Sequence, residues 1–143
     1  MTNLDLSISC FLKNGFNLKK HLIDFLHIND DQLDQRLING VDDLAALHPG
    51  AFTEKNAGDF YEEEVGDAHL IDLASWHLNS SNYIADTLRL QQKFASGKVL
   101  DFGGGIGTHA LSASFLPDVE HVWFVDLNPQ NRSFVEYRSR ALG

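Results

Sequence analysis

A chain of 143 residues with 43% hydrophobic residues has the material for one domain with a buried core. Its 20 acidic against 11 basic residues, a formal charge of −9, argue against a nucleic-acid surface, because such surfaces draw affinity from clustered Lys and Arg. No apolar run approaches the roughly 20 residues that span a bilayer, and the opening MTNLDLSISC lacks the basic start and apolar centre of a leader. The expectation is a soluble, cytoplasmic protein with no membrane or nucleic-acid partner. Its single cysteine, Cys10, allows no internal disulfide and is expected as a small buried apolar residue.

In chain order, NLKKHLIDFLHI spaces Leu18, Leu22, Phe25 and Leu26 as one face of a helix. Asn29 or Asp30 can cap a second helix carrying Leu33, Leu37 and Ile38, and VDDLAALHPG reads as a short third helix ended by Pro49 and Gly50. Residues 1–50 are therefore expected to form a helical bundle. Ala51 to Gly58 has no apolar period and reads as a linker. An aromatic and acidic stretch follows, with a helix expected over Ala68 to Leu78 and a core position for Trp76. Ser80 or Ser81 can cap the next helix, which carries Ile84, Leu88 and Leu90.

At Lys98 the period changes. KVLDF reads as a strand, GTHALSASFL as a helix stopped by Pro117, and HVWFVDL as a second buried strand. NPQNRSFVEYRSRAL reads as a helix with Asn128 as cap and Pro129 at its first position. Arg132, Arg138 and Arg140 are expected on its solvated face. Strand, glycine loop, helix, strand, helix is the opening of a doubly wound α/β sheet, whose ligands bind at the carboxyl ends of the strands. Two strands alone cannot bury both faces of such a sheet, so the chain is expected to be the N-terminal part of a larger unit. Bare strand edges make a homodimer or strand exchange the expected compensation.

The loop VLDFGGGIG poses the chemical question. No lysine follows Gly107 in the pattern a nucleotide-triphosphate loop needs. A dinucleotide fingerprint can be laid on Gly105, Gly107 and Ala110, although Asp101 would then stand close to a pyrophosphate. One helix and one strand later, Asp126 ends the second strand where a carboxylate can accept hydrogen bonds from the vicinal hydroxyls of a ribose.

Val99, Leu100, Asp101, Phe102, Gly103, Gly105 and Gly107 match every position of motif I of the class I S-adenosylmethionine-dependent methyltransferases, and residues 97–141 resemble that family. The resemblance implies a Rossmann-like cofactor domain over residues 97–143, apparently truncated, with residues 51–96 as linker and helical lid. It implies S-adenosyl-L-methionine held by Asp101, Phe102, Gly103, Gly104, Gly105 and Gly107, with Asp126 on the ribose and Leu127 against the adenine. The implied reaction is in-line methyl transfer to a small-molecule acceptor, although a chain ending after the second helix is expected to be catalytically incomplete on its own. In many relatives helices ahead of the first strand form a lid, and GDFYEEEVGDAHLIDLASWHLN is the stretch for that role. Within it Tyr61 is expected to meet cofactor or substrate, and His69 or His77, with pKa values near neutrality, to act as a base. The remaining histidines, His21, His27, His48, His109 and His121, show no ligand spacing, so no metal is expected. Two other readings stay open: an NAD(P)-binding oxidoreductase, and a non-catalytic helical interaction module.

Overall fold

Ser7 starts the first helix, α1 (Ile8–Asn14), by accepting a hydrogen bond from the Cys10 N–H at 3.2 Å. The computed structural model of the protein describes residues 6–47 and 50–143. The proposed helix stop at Pro49 and the reading of His48 lie outside the described residues. Cys10 is half-buried and packs against a core cluster that includes Phe11, Phe16 and Leu88.

Gly15, Phe16 and Asn17 all have left-handed backbone, with φ of 60°, 56° and 60°. Phe16 is an outlier for a bulky residue and costs on the order of 1 kcal/mol. Full burial of its ring offsets that cost, as does a double hydrogen bond from Arg138 Nη2 to the Gly15 and Phe16 carbonyls at 3.0 and 3.2 Å. The turn delivers α2 (Leu18–Leu26), whose Leu18 and Leu22 are fully buried.

The second and third helices expected from sequence are one helix, α3 (Asp30–Leu47). Asn29 and Gln32 cap it reciprocally, each side chain accepting the other's backbone N–H at 2.8–2.9 Å. Gly40 within it is buried against α5 (Gly66–Asn79), and a Cβ there would stand 3.3 Å from Ile71 Cγ2. The segment read as a linker carries a short helix, α4 (Glu54–Asp59), closed by a Thr53–Asn56 capping box. A π-helical turn over Phe60–Glu64 then leads to α5. In α6 (Ser81–Phe94) Ser80 holds the cap position through its carbonyl, which accepts the Ile84 N–H at 3.0 Å, and its side chain makes no cap bond.

β1 (Gly97–Phe102), α7 (Thr108–Ser114), β2 (Val119–Val125) and α8 (Pro129–Leu142) follow in the expected order. The chain is thus mixed α/β and mostly helical, with a parallel two-stranded sheet among the described residues. Leu100 pairs with Trp123 and Phe102 with Val125. β1, and β2 from His121 onward, alternate between half-buried and exposed rather than being buried throughout, because the helices cover one face alone. Lys98, Leu100, Phe102, His121, Trp123 and Val125 share the uncovered face.

Arg138 is not on a solvated face. It is fully buried, and its Nη1 donates to the Ile106 carbonyl while Nε donates to His21 Nδ1. Arg132 and Arg140 are exposed as expected, Arg132 donating to the Asp126 and Leu127 carbonyls and Arg140 paired with Glu136. Trp76 is not core either: it is 47% exposed and meets Tyr83 edge to face at 6.0 Å. No helix among the described residues is long and apolar enough to cross a membrane.

Candidate functional site

The glycine loop joins β1 to α7, and its glycines are there for different reasons. Gly104 lies so close to β2 that a Cβ would stand 2.5 Å from the Phe124 ring and 2.6 Å from Asp101 Oδ2. At Gly107 a Cβ would stand 2.6 Å from Val135 of α8. Packing alone therefore requires these two. Gly103 differs: its φ is +67°, so glycine is favoured, yet nothing lies within 4 Å of a Cβ built there. It presents bare backbone to open space.

That space is two cavities which share Gly103 in their walls. One, of about 410 Å3, is lined by Tyr61, His69, Phe102, Gly103, Val125, Asp126 and Leu127. The other, of about 320 Å3, lies where α5 and α6 meet the loop, and its walls include Trp76, His77, Tyr83, Asp101, Gly103 and His109. All eight residues expected at the cofactor are thereby on the loop or the adjoining strand ends, with Gly107 set back beneath α8. Tyr61 and His77, expected in the lid, line different cavities, Tyr61 the first and His77 the second.

The two carboxylates hold the loop. The Ala110 N–H donates to Asp101 Oδ2 at 3.1 Å, which ties the end of β1 to the first turn of α7. Burial raises the Asp101 carboxyl above its ordinary pKa, opposed by His109 and by the Ala110 hydrogen bond. Asp126 Oδ2 accepts the Gly105 N–H at 2.9 Å, and Oδ1 accepts the Asn128 N–H at 2.8 Å and Asn131 Nδ2 at 3.3 Å. A carboxylate offers about four acceptor positions, so three are filled and one remains.

Asn131 Nδ2 also lies 3.2 Å from His69 Nδ1. An amide nitrogen only donates, so His69 Nδ1 accepts and its proton sits on Nε2. Burial lowers the His69 pKa, against the pull of Asp126 and Asp72. Asn128, fully buried, donates to the Gly66 carbonyl at 3.0 Å and so anchors the root of α5 to the start of α8. The π-helical turn closes with the Val65 N–H on the Phe60 carbonyl at 3.1 Å, and it carries Tyr61 to the first cavity, where the ring meets His69 at 5.1 Å.

In the second cavity, Thr87 gives its one hydroxyl proton to the Ile84 carbonyl at 2.7 Å, so His109 Nε2 must donate to Thr87 Oγ1 at 2.7 Å. Burial lowers the His109 pKa, and the neutral ring then leaves Nδ1 as an acceptor. His77 Nδ1 donates to the Leu73 carbonyl at 2.8 Å, and burial carries its pKa down to about 4. His77 is therefore a neutral hydrogen-bonding group rather than a base poised near neutrality. Among the described residues no group of three His, Cys, Asp or Glu is placed to hold a metal ion.

His109, Thr87, Trp76, Tyr83 and Asn131 were not singled out as site residues from the sequence. The DLNPQN run carries a signal for Asn131, because one helical turn from a cap brings a side chain back to the strand end. The others come together through the packing of α6 on α7 and on α5, which leaves no local signature. Comparison with protein-family models, curated proteins and solved structures finds no match to this chain.

Proposed function

We propose that the chain binds S-adenosylmethionine through the opening half of a Rossmann-like sheet and serves methyl transfer to a small-molecule acceptor. The observation that carries this reading is Gly103, bare backbone in open space between two cavities, each with an aspartate in its wall. The residues present fit the cofactor. Asp126 keeps one acceptor position for a ribose hydroxyl, and the exposed Leu127 and Phe102 offer apolar surface to an adenine. Asp101 suits a cationic amino-acid end. Neither cavity has a Lys or Arg in its wall, so a dinucleotide pyrophosphate would face carboxylates without compensation.

When bound, S-adenosylmethionine supplies a methyl group on a positively charged sulfur and leaves as S-adenosylhomocysteine. The chain's own part is orientation, the main source of rate in a direct displacement. Asp126 and Leu127 fix one end, Asp101 and the Gly103 backbone the other. Tyr61 stands over the first cavity as part of a cover, and His77 and His109 accept hydrogen bonds at the second.

Calorimetric titration of the chain with S-adenosylhomocysteine and, separately, with NAD tests this reading. Binding of the first alone is expected, weakened about tenfold or more in Leu127→Ala and in Asp126→Ala. Leu127 makes no structural contact comparable to those of Asp126, so its variant separates ligand contact from loop support. Binding of NAD, or of neither compound by a folded chain, overturns it.

A further inference from the structure

The uncovered face of the two-stranded sheet is a continuous apolar surface. Leu100 and Trp123 stand opposite each other, as do Phe102 and Val125, and Leu127 extends the row past the strand end. Their exposed fractions are 59%, 47%, 81%, 42% and 49% for Leu100, Trp123, Phe102, Val125 and Leu127. With large side chains carrying roughly 150–250 Å2 each, about 500 Å2 of apolar side chain is left in water. That is at the upper end of the largest apolar patch on a typical monomer, roughly 300–600 Å2. Two such faces in contact remove about 1,000 Å2 from water, the lower bound for a specific interface.

We propose that a second copy of this chain seats on this face, sheet against sheet. A twofold arrangement needs only a surface complementary to itself, and this face meets that condition: its centre is four apolar side chains, and the charged and titratable groups of its strands, Lys98 and His121, follow at one end, with the His121 ring 4.3 Å from that of Trp123. The net charge of −9 disfavours an acidic membrane surface as the occupant. Phe102, Val125 and Leu127 also wall the cavity beside Asp126, so the second copy closes the open side of that cavity. This last consequence rests on the cofactor reading above; the association does not.

Sedimentation velocity of the full chain, free of ligand, over about 1 to 100 µM tests the proposal at the micromolar affinity expected of so small an interface. The expected result is a concentration-dependent species of two copies. Leu100→Lys and Trp123→Lys, each with helix content unchanged by circular dichroism, weaken it about 30-fold or more. Ile38→Lys, at a 76% exposed position on α3, leaves it unchanged. A monomer throughout the range overturns the proposal. So does self-association that the two face variants do not weaken, which would point to strand exchange or another surface. Because no ligand is present, failure here leaves the S-adenosylhomocysteine titration to decide the cofactor reading separately.

Discussion

At the scale of single residues, Arg138 shows how a buried cation is accommodated without a carboxylate. Burial pulls its pKa down to about 9, and its guanidinium is held by the carbonyls of Gly15, Phe16 and Ile106 and by His21 Nδ1. An arginine offers five donors in a rigid fork, which suits several acceptors from separate segments. The His21 nitrogen can accept only while neutral. Its pKa is lowered to about 4, chiefly by burial and next by the Arg138 charge, with Lys20 adding to the shift and Asp24 opposing it. The unfolded chain takes up this proton near pH 6.5 and the folded chain near 4, so the contribution is complete above about pH 6.5 and is lost as pH falls toward 4. Urea unfolding at several pH values should show stability falling by up to about 1.4 kcal/mol per pH unit from this site in that window. In His21→Gln, which keeps an acceptor without titrating, the slope should shrink. Neither partner was legible beforehand. Arg138 sits in SFVEYRSRAL among polar residues, and only the packing of α2 on α8 turns that position inward. Asp101 and Asp126 were legible because their role depends on strand ends and local spacing.

At the scale of elements, the sheet portion followed its sequence closely because caps and breakers mark it: Asn128 bonding Gln130, Pro129 at the helix start, Gly107 before α7. The helical half was read less well. Two helices were expected where α3 runs unbroken, and Gly40 within it marks the close crossing of α3 over α5, where Ile71 and the Asp72 backbone lie within 3.3–3.6 Å of a Cβ at this position. Single-sequence reading cannot distinguish a glycine that breaks a helix from one that lets another helix approach. The two cases predict different substitution responses. Gly40→Ala gains about 1 kcal/mol of helix propensity but brings a methyl within 3.3 Å of Ile71 Cγ2 and 3.6 Å of the Asp72 backbone, so its net effect should be small. Gly40→Leu overfills the crossing and should cost about 1–3 kcal/mol in denaturant unfolding. Equal tolerance of both would mean that α3 and α5 do not pack as described.

At the scale of the whole molecule, the division into residues 1–50, 51–96 and 97–143 does not correspond to separate cores. One cluster joins Leu18, Leu22 and Leu33 to Leu70 and Ile71 and to Ile106 and Phe134, and Arg138 binds the turn between α1 and α2 to the glycine loop. The loop that presents Gly103 is therefore held from both sides: Asp126 and Val135 lie beneath it, and Leu73 of α5 packs against Gly105. Shared burial of this kind makes the chain unfold as one unit. The two tryptophans allow this to be measured, since Trp76 reports from α5 and Trp123 from β2. Trp76→Phe and Trp123→Phe, unfolded in urea at one low concentration, should give fluorescence midpoints that coincide with each other and with the loss of helical circular dichroism. Separate midpoints would mean that the helices around α5 and the sheet are independently stable. A site spanning Tyr61, Gly103 and Asp126 would then depend on how two bodies meet, whereas a single transition means that any ligand bound at the loop stabilises the helices around α5 as well.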